Sequence, residues 1–502
     1  MIKRPHILLF NPDQMRADAM GHLGNGSGAT PNLDRFVETE AVSFSQAFCQ
    51  NPVCVPSRCS FMTGWYPHVR GHRTMYHMLH HDRAEPNLQR ILKETGYYIW
   101  WTSRNDLIPG QLGYSRDCDV HFTAGKEDFK RWGHYPRAGL HFDLSWRGDP
   151  DSDTYYSFYA GRLDTGEDSI YADVDWGWVL GARDFILDYD GDQPLFINLA
   201  LAYPHPPYGV EEPWHSQIDR SRIPARIPAP EAWPGKPALL KELWQRQRME
   251  CWSEERWLEL RATYLGQCAR VDHQFQLIIE TLKEKGFYEN TAIFLFSDHG
   301  DFTGDYGLVE KTQNTFEDCL THVPFIVRPP KGTAINPGFR EAMVELIDFP
   351  ATVYDLTGID PGYDHFGRSL LPLLTDEKKE HREAVFCEGG RLYGEEQAME
   401  KESLPKGRPH QETTYWPRVG LQITDDGPYH GKAAMCRNRR YKYVRRLYEQ
   451  DELYDLGTDP QELRNLINDT AYDQILAELK EKMADWYMNT CDVVPYDTDR
   501  RF

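Results

Sequence analysis

The 502-residue sequence lacks any apolar run long enough to cross a membrane. A membrane helix needs roughly 20 consecutive apolar residues. The first apolar run, Ile7–Phe10, is short and leads into Asn11, Pro12 and Asp13, not into the small-residue cleavage site of a signal peptide. We therefore predict a buried first strand, no membrane partner and a cytoplasmic location.

The sequence also lacks paired cysteines and excess positive charge. No Cys-x-x-Cys pair or regular spacing indicates a zinc ribbon or a disulfide framework, so most thiols are predicted to be free. The net charge of −21 argues against nucleic acid and anionic membranes as partners. An anionic small substrate remains compatible with this charge if the pocket concentrates positive groups. The cysteines are Cys49, Cys54, Cys59, Cys118, Cys251, Cys268, Cys319, Cys387, Cys436 and Cys491.

Short apolar runs alternate with amphipathic stretches from residue 6 to about 330, which is typical of strands joined by crossover helices. Several runs are apolar throughout, as expected for parallel strands covered on both faces. Helices are predicted over Asn87–Thr95 and about 253–285. The expected fold is α/β, with a doubly wound, mostly parallel sheet flanked by helices. The strand candidates are His6–Asn11, Tyr97–Trp101, Pro194–Ala202, Thr291–Ser297 and Pro324–Arg328.

The sequence becomes charged and irregular beyond about residue 375, and Ala433–Arg446, a turn at Glu452–Leu456 and an amphipathic helix at about 472–488 follow. We predict a catalytic α/β domain over 1–375 and a smaller C-terminal α+β domain over 376–502 packed on it. The stretches 120–165 and 203–236 lack periodicity and predict long ordered loops, which tend to carry function. A homo-oligomer is compatible with the sequence.

Two of the predicted strands end in potential metal ligands. The first runs into Asp13 and Gln14, and Thr291–Ser297 runs into Asp298 and His299. Ligands bind beyond the carboxyl ends of strands in an open α/β sheet, where such oxygen and nitrogen donors can meet at one cation. Either pair alone is explained equally well as helix caps or turn residues.

Cys54 begins a string that includes Pro56, Ser57 and Arg58 and ends in Thr63-Gly64. Pro56 and Ser57 favour a helix start and Gly64 a helix end, so Cys54 is predicted just before a helix N-terminus, where the backbone favours an anion. On these grounds alone, Cys54 is better explained as a low-pKa thiol.

The whole string, Cys-x-Pro-Ser-Arg followed by Thr-Gly, resembles the maturation signature of the type I formylglycine-dependent sulfatases of the alkaline phosphatase superfamily. Other strings of that family follow in order, so the resemblance covers about residues 6–490. They are Thr30–Asp34, Tyr203–Tyr208, Ser297–Gly300, Gly307, Lys311, Phe366–Leu370 and Glu452–Leu456.

This resemblance implies hydrolysis of sulfate monoesters by a formylglycine that a formylglycine-generating enzyme makes from Cys54. Arg58 would hold the nucleophilic hydroxyl, Lys311 would contact a sulfate oxygen and His205 the bridging oxygen. One divalent metal ion is implied, with Ca²⁺ expected and Mn²⁺ or Zn²⁺ as alternatives that a histidine ligand admits. The implied metal ligands are Asp13, Gln14, Asp298, His299 and an oxygen of matured residue 54.

The sequence departs from the family pattern at two places. Gln14 replaces a second Asp, and Trp101–Asp106 replaces a Gly-Lys-x-His string, so Arg104 is predicted as the substrate contact there. Asp-Gln with Asp-His also resembles phosphonate monoester and phosphodiester hydrolases, which remain the alternative function.

Basic and aromatic residues predict the surroundings of the pocket. His72 and Arg73 belong to a basic cluster that is interpreted either as a positive rim for the substrate or as a solvated loop. Aromatic residues in 131–178 favour a sulfated carbohydrate as the substrate, although core packing also explains most of them. Structural roles remain alternatives for His205 and Lys311.

Overall fold

The computed structural model describes residues 4–83, 85–136, 144–404, 406–407, 409–424, 427–496, 498 and 500–501. Its centre is an eight-stranded sheet in the order β10-β2-β9-β8-β1-β6-β3-β4, where β9 alone is antiparallel to its neighbours. The strands of this sheet are β1 (His6–Asp13), β2 (Val42–Phe48), β3 (Tyr98–Thr102), β4 (Val120–Phe122), β6 (Leu195–Pro204), β8 (Thr291–Phe296), β9 (Phe325–Arg328) and β10 (Gly338–Glu345). A separate two-stranded sheet pairs β5 (Tyr159–Arg162) with β7 (Tyr208–Val210).

Helices cover both faces of the central sheet. Along β1, Leu8 and Phe10 pack into one core cluster, and Ile7 and Leu9 pack into another on the opposite face. This two-sided burial explains why β1 is apolar throughout. Residues of α1, α5 and α8 join the first cluster, and residues of α2, α3 and α10 join the second. The helices are α1 (Pro31–Thr39), α2 (Cys54–Thr63), α3 (Leu88–Glu94), α4 (Lys126–Arg131), α5 (Val174–Asp188), α6 (Trp214–Gln217), α7 (Ala238–Gln247), α8 (Glu254–Lys285), α9 (Asp318–Thr321), α10 (Asp348–Thr357), α11 (Trp416–Thr424) and α12 (Asp473–Thr490).

The C-terminal part of the chain forms a second, antiparallel sheet of four strands with α12 packed on it. Trp486 and Leu479 of α12 meet Tyr443 and Leu453 of this sheet in one buried cluster. The strands, in sheet order, are β11 (Val385–Gly389), β12 (Ala433–Arg437), β13 (Tyr441–Arg446) and β14 (Glu452–Asp455). The predicted fold class is confirmed, whereas the division at residue 375 stays a prediction.

Two predictions about local structure need correction. The stretch 203–236 is not a single loop, because it contains β7 and α6, elements of three and four residues that are too short to show a period. The stretch 120–165 contains β4, α4 and β5, and its residues 137–143 lie outside the described residues. Among the described residues, none of the helices combines the length and the apolar character of a membrane span.

Candidate active site

The predicted metal ligands converge because β1 and β8 are parallel neighbours. Leu8 pairs with Ile293 and Phe10 with Leu295, so Asp13 and Asp298 leave the same edge of the sheet. Ligand atoms of Asp13, Asp298, His299 and Cys54 all lie within 4.8 Å of one another, and all four side chains are buried. Two carboxylates, an imidazole and position 54 form a donor set suited to a divalent cation.

The ring of His299 is oriented for coordination. Its Nδ1 lies 2.9 Å from the carbonyl oxygen of Gly300, a contact in which Nδ1–H donates. This bond leaves Nε2 as the electron-pair donor that faces the cluster, the usual arrangement of a metal-binding histidine. Burial lowers the pKa of His299, which keeps the ring in the neutral form that a metal requires.

Cys54 is the first residue of α2 and not the residue before it, as the sequence had predicted. The helix begins ahead of Pro56 because residues in a first turn need no N–H for intrahelical bonding. The Cys54 side chain is only 2% exposed. Its Sγ lies 3.7 Å from Asp13 Oδ1 and 3.2 Å from His299 Nε2.

A helix N-terminus by itself would lower the pKa of the Cys54 thiol, but the surroundings of Cys54 have the opposite effect. Burial, followed by the charge of Asp13, raises the pKa of the Cys54 thiol well above its ordinary value. A neutral thiol is a poor nucleophile, so without a cation beside it an unmodified Cys54 is poorly suited to attack.

Two arginines neutralise the carboxylates of the cluster. Arg58 donates from Nη2 to Asp13 Oδ2 at 2.9 Å and from Nε to Asp298 Oδ2 at 3.0 Å. Arg104 also donates to Asp13 and lies 3.4 Å from Asp106. Burial favours the neutral acid, but Arg104, His205 and Arg58 together hold the pKa of Asp13 well below its usual range. Asp13 is therefore a carboxylate at neutral pH.

Gln14 links the metal cluster to Lys311. Its side-chain oxygen accepts from Lys311 Nζ at 2.8 Å, and its amide nitrogen donates to Asp301. Its backbone N–H donates to Asp298 Oδ1 at 3.1 Å. Gln14 thus lies beside the four converging donors, and its predicted role as a metal ligand stays a prediction.

His205 and Lys311 are both buried. His205 Nδ1 lies 2.7 Å from the carbonyl oxygen of Pro206, so a proton offered to a substrate would be carried on Nε2. Burial and then Lys311 lower the pKa of His205 well below its usual value. A bound anion would oppose that shift, because negative charge stabilises an imidazolium. Lys311 itself contacts Glu310 at 3.2 Å.

A family model named "Sulfatase" matches residues 5–359. This match covers more than half of the sequence and includes every residue of the cluster. The chain belongs to the sulfatase family. A second model, described as "N-sulphoglucosamine sulphohydrolase, C-terminal", matches residues 430–489. The predicted membership and the class of sulfuric ester hydrolase are confirmed.

Relatives of this sulfatase-family chain include enzymes with more than one named activity. "Multifunctional alkaline phosphatase superfamily protein PehA" of Trinickia caryophylli is 24% identical, with 97% of this chain and 96% of that protein covered. "Arylsulfatase" of Clostridium perfringens is 24% identical, with 95% and 93% covered. The structure of "Phosphonate Monoester Hydrolase of Agrobacterium radiobacter" is similar in fold, with a TM-score of 0.72, 20% identity and coverage of 98% and 97%.

The structure of this sulfatase-family chain brings together most of the site residues that the sequence predicted, but not His72 and Arg73. His72 pairs with Glu85 at 3.4 Å and Arg73 with Glu395 at 2.9 Å, and no described contact joins either to the metal cluster. Their predicted role in substrate binding stays a prediction. Asp106, which forms ion pairs with Arg58 and Arg104, was missed as a site residue although it lies in the string Trp101–Asp106 that was compared with the family.

Two further site residues were also missed. Asp301, which receives the Gln14 amide, lies three residues after Asp298 and could have been proposed from that spacing. Tyr415 places its ring 6.3 Å from the ring of His205, and no local sequence signal indicates this contact.

Proposed function

We propose that the chain hydrolyses sulfate monoesters through a hydrated formylglycine made from Cys54. The observation that carries the proposal is the position of Cys54, buried at the start of α2 within 3.7 Å of Asp13 and 3.2 Å of His299. Arg58, one helical turn later, reaches both carboxylates of the cluster. A nucleophile at this position would have a cation site and a fixed guanidinium beside it. A formylglycine-generating enzyme is the maturation partner in this proposal.

The residues of the cluster fit one divalent cation, which we propose to be Ca²⁺ because most of the donors are oxygens. Mn²⁺ and Zn²⁺ are the alternatives, because His299 adds a nitrogen donor. Asp13, Asp298, His299 and an oxygen of matured residue 54 would hold the ion, with Gln14 as the proposed further ligand. When bound, the cation supplies positive charge that makes the hydroxyl of residue 54 a stronger nucleophile at neutral pH.

The reaction divides into two steps at residue 54. In the first, one hydroxyl of the hydrated aldehyde gives its proton to the Asp13 carboxylate and attacks sulfur, the bond from sulfur to the leaving oxygen breaks, and His205 protonates that oxygen. Arg58 and Lys311 offset the charge on the group being transferred. In the second, the other hydroxyl gives its proton to His205, the bond from carbon to the sulfate oxygen breaks, sulfate leaves, and Asp13 returns its proton to water. The aldehyde is restored and is hydrated again by water.

A cavity lined in part by Trp416, the residue after Tyr415, supports a carbohydrate as the natural substrate. It has a volume of about 650 Å³, and its lining includes Tyr155, Tyr156, Trp416 and Arg246. Pockets that combine aromatic faces with a few polar groups are typical of small-molecule sites. Tyr155 and Tyr156 belong to the aromatic stretch 131–178, from which a sulfated carbohydrate was predicted as the substrate. We therefore propose a sulfated carbohydrate.

His205→Ala should reduce kcat/KM strongly for a poor leaving group and weakly for a good one. General acid catalysis contributes on the order of 10²- to 10⁴-fold, and a sugar or alkyl alkoxide needs the proton, whereas nitrophenolate does not. Steady-state kinetics with an alkyl sulfate and with nitrophenyl sulfate measure the difference.

Metal content and formylglycine yield serve as controls for this variant, and both should stay unchanged. Equal losses on the two substrates would mean that His205 binds the sulfate group or supports the fold. Lys311 would then become the leading candidate for the acid.

Hydrolysis of phosphonate monoesters or phosphodiesters is the second candidate function. Gln14 favours it, because the Asp13-Gln14 and Asp298-His299 pairs resemble those of the phosphonate monoester hydrolases. All three ester classes carry one negative charge near neutral pH, so net charge does not separate them. The number of terminal oxygens distinguishes the classes, because a sulfate monoester has three terminal oxygens and the phosphorus esters have two.

A sulfate monoester should therefore be hydrolysed with a higher kcat/KM than a phosphonate monoester or phosphodiester with the same leaving group. Lys311, Arg104 and the metal ion would provide one partner for each of the three terminal oxygens. Parallel kinetic measurements with nitrophenyl esters of the three classes provide the test. A clear preference for either phosphorus ester would assign the chain to the second candidate.

A further inference from the structure

Arg418 of α11 contacts the loop that carries Glu310 and Lys311, here called the catalytic loop, although Arg418 is distant from that loop in sequence. Its Nε lies 3.3 Å from Glu310 Oε2, and its Nη1 donates to Glu400 at 3.0 and 2.9 Å. All three side chains are buried. Arg418 belongs to the segment 360–429, which neither matching family model covers. The contact therefore joins a residue outside both matched regions to Glu310, which lies inside the first of them.

Glu310 is held in place by more than this ion pair. Its φ of 69° lies in the left-handed region that non-glycine residues rarely adopt. Its backbone N–H donates to the Tyr208 hydroxyl at 3.0 Å, and Tyr208 in turn donates to Asp301. An unusual backbone conformation maintained by buried hydrogen bonds indicates that the position of this carboxylate matters.

The Glu310 carboxylate is shared between two cations. Lys311 Nζ lies 3.2 Å from one of its oxygens, and Arg418 contacts the other. Lys311 also donates to Gln14 at 2.8 Å, which directs it toward the metal cluster. If Arg418 were absent, Lys311 would be the remaining cation within ion-pair distance of Glu310 among the described residues. Lys311 would then be drawn toward Glu310 and away from a bound anion.

The same segment approaches the leaving-group side of the pocket. Tyr415, three residues before Arg418, contacts the rings of His205 and Phe158 at centroid distances of 6.3 and 5.4 Å. The contact of Arg418 with the catalytic loop is thus part of a wider approach of this segment to the site.

We propose that Arg418 is a positioning residue of the active site, which by pairing with Glu310 leaves Lys311 available to bind the oxyanion of the substrate. The inference rests on the proposed function in one respect, the role of Lys311 as an anion contact. It extends that function by making the segment between the two family models a part of the catalytic machinery.

The test compares the binding of inorganic sulfate to the matured, metal-loaded enzyme and its variants by titration calorimetry, together with kcat and KM for an ester. Arg418→Met should weaken sulfate binding and raise KM by about 10- to 100-fold, the size of one lost charged hydrogen bond. The value of kcat should change less, because Lys311 contacts the anion before and during the reaction. Arg418→Lys should lose less than Arg418→Met.

Two further variants separate positioning from a purely structural role. Since Arg418 acts through Glu310, adding Arg418→Met to Glu310→Gln should leave the sulfate Kd of the Glu310→Gln variant unchanged. If Arg418→Met alone does not fold, the comparison of the double variant with Glu310→Gln still tests the role of Arg418. Glu400→Gln removes the other partner of Arg418 and should lower the melting temperature without weakening sulfate binding.

Other outcomes would overturn the proposal. If Glu400→Gln and Arg418→Met weaken sulfate binding equally, or if Arg418→Met still weakens it in the Glu310→Gln background, Arg418 only supports the fold. Failure of the wild-type enzyme to bind sulfate would also overturn it. If the wild type binds sulfate but hydrolyses no sulfate ester, the proposed function fails, and the Kd comparison still decides the role of Arg418.

Discussion

Cys54→Ala should abolish hydrolysis, with kcat/KM falling by on the order of 10⁶, as when the nucleophile of a hydrolase is removed. The reason is that residue 54 supplies the attacking hydroxyl of the proposed mechanism, whereas the other members of the described cluster, Asp13, Asp298 and His299, are assigned to the metal ion. Metal content should fall as well, because an oxygen of the matured residue is one of the ligands.

Mass spectrometry of the wild-type protein provides the direct measurement. The tryptic peptide from Phe36 to Arg58 should have lost the sulfur of Cys54 and should react with a hydrazide, whereas Cys49 in the same peptide should keep its thiol. Full activity in protein whose Cys54 is entirely an intact thiol, made in a host with the maturing enzyme, would contradict the mechanism.

Cys59→Ala is the matched control for Cys54→Ala. Cys59 is in the same helix, is equally buried and also has its pKa raised, mainly by burial. It is not within hydrogen-bond distance of any of the described metal ligands. The variant should lose some stability but keep its activity and its formylglycine. A loss of activity as large as that of Cys54→Ala would mean that helix packing, and not the nucleophile, explains both results.

Asp13→Asn should remove the metal ion and lower kcat/KM by more than about 100-fold, the upper figure for a residue that merely supports a metal ligand. The substitution removes a buried negative charge that a cation needs, while Arg58 and Arg104 keep their positive charges beside the site. Elemental analysis of the purified variant and kinetics with added metal provide the measurement.

Asp348→Asn is the control for the structural cost of Asp13→Asn. Asp348 is also fully buried and paired with an arginine, Arg382, but its described hydrogen bonds and ion pairs include none of the residues of the metal cluster. Removing one partner of such a pair costs about 3 kcal/mol of stability. The Asp348→Asn variant should therefore unfold more easily yet retain its metal. If Asp13→Asn keeps full metal occupancy and activity, Asp13 is not a ligand.

The sequence predicted those elements of the fold whose burial produces a continuous run of apolar residues. Strands β1, β6 and β8 lie in the middle of the sheet, and their apolar runs reflect cover on both faces. Strand β2 and the edge strand β10 were not predicted, because polar residues interrupt both segments. The metal ligands were predicted for a related reason, since strand ends that share a sheet edge bring their polar residues together.

The contacts made by the segment around α11 could not be predicted in this way. Arg418 and Tyr415 lie in irregular sequence, and their partners, Glu310 and His205, are more than 100 residues away. Such pairings depend on how the segment around α11 is placed against the catalytic loop and His205. Hydrophobic periodicity carries no information about that placement.

The burial of Cys54 sets an order of events during synthesis. An enzyme that oxidises this residue cannot reach it once α2 is packed, so oxidation has to precede the closing of the site. Closure in turn requires Asp298, which is 240 residues beyond its partner Arg58. At a synthesis rate of roughly 5 to 20 residues per second, this separation leaves about 10 to 50 s in which the segment remains open. The long sequence separation within the proposed metal centre would thus give the proposed maturing enzyme a period of access that a locally assembled site would not provide.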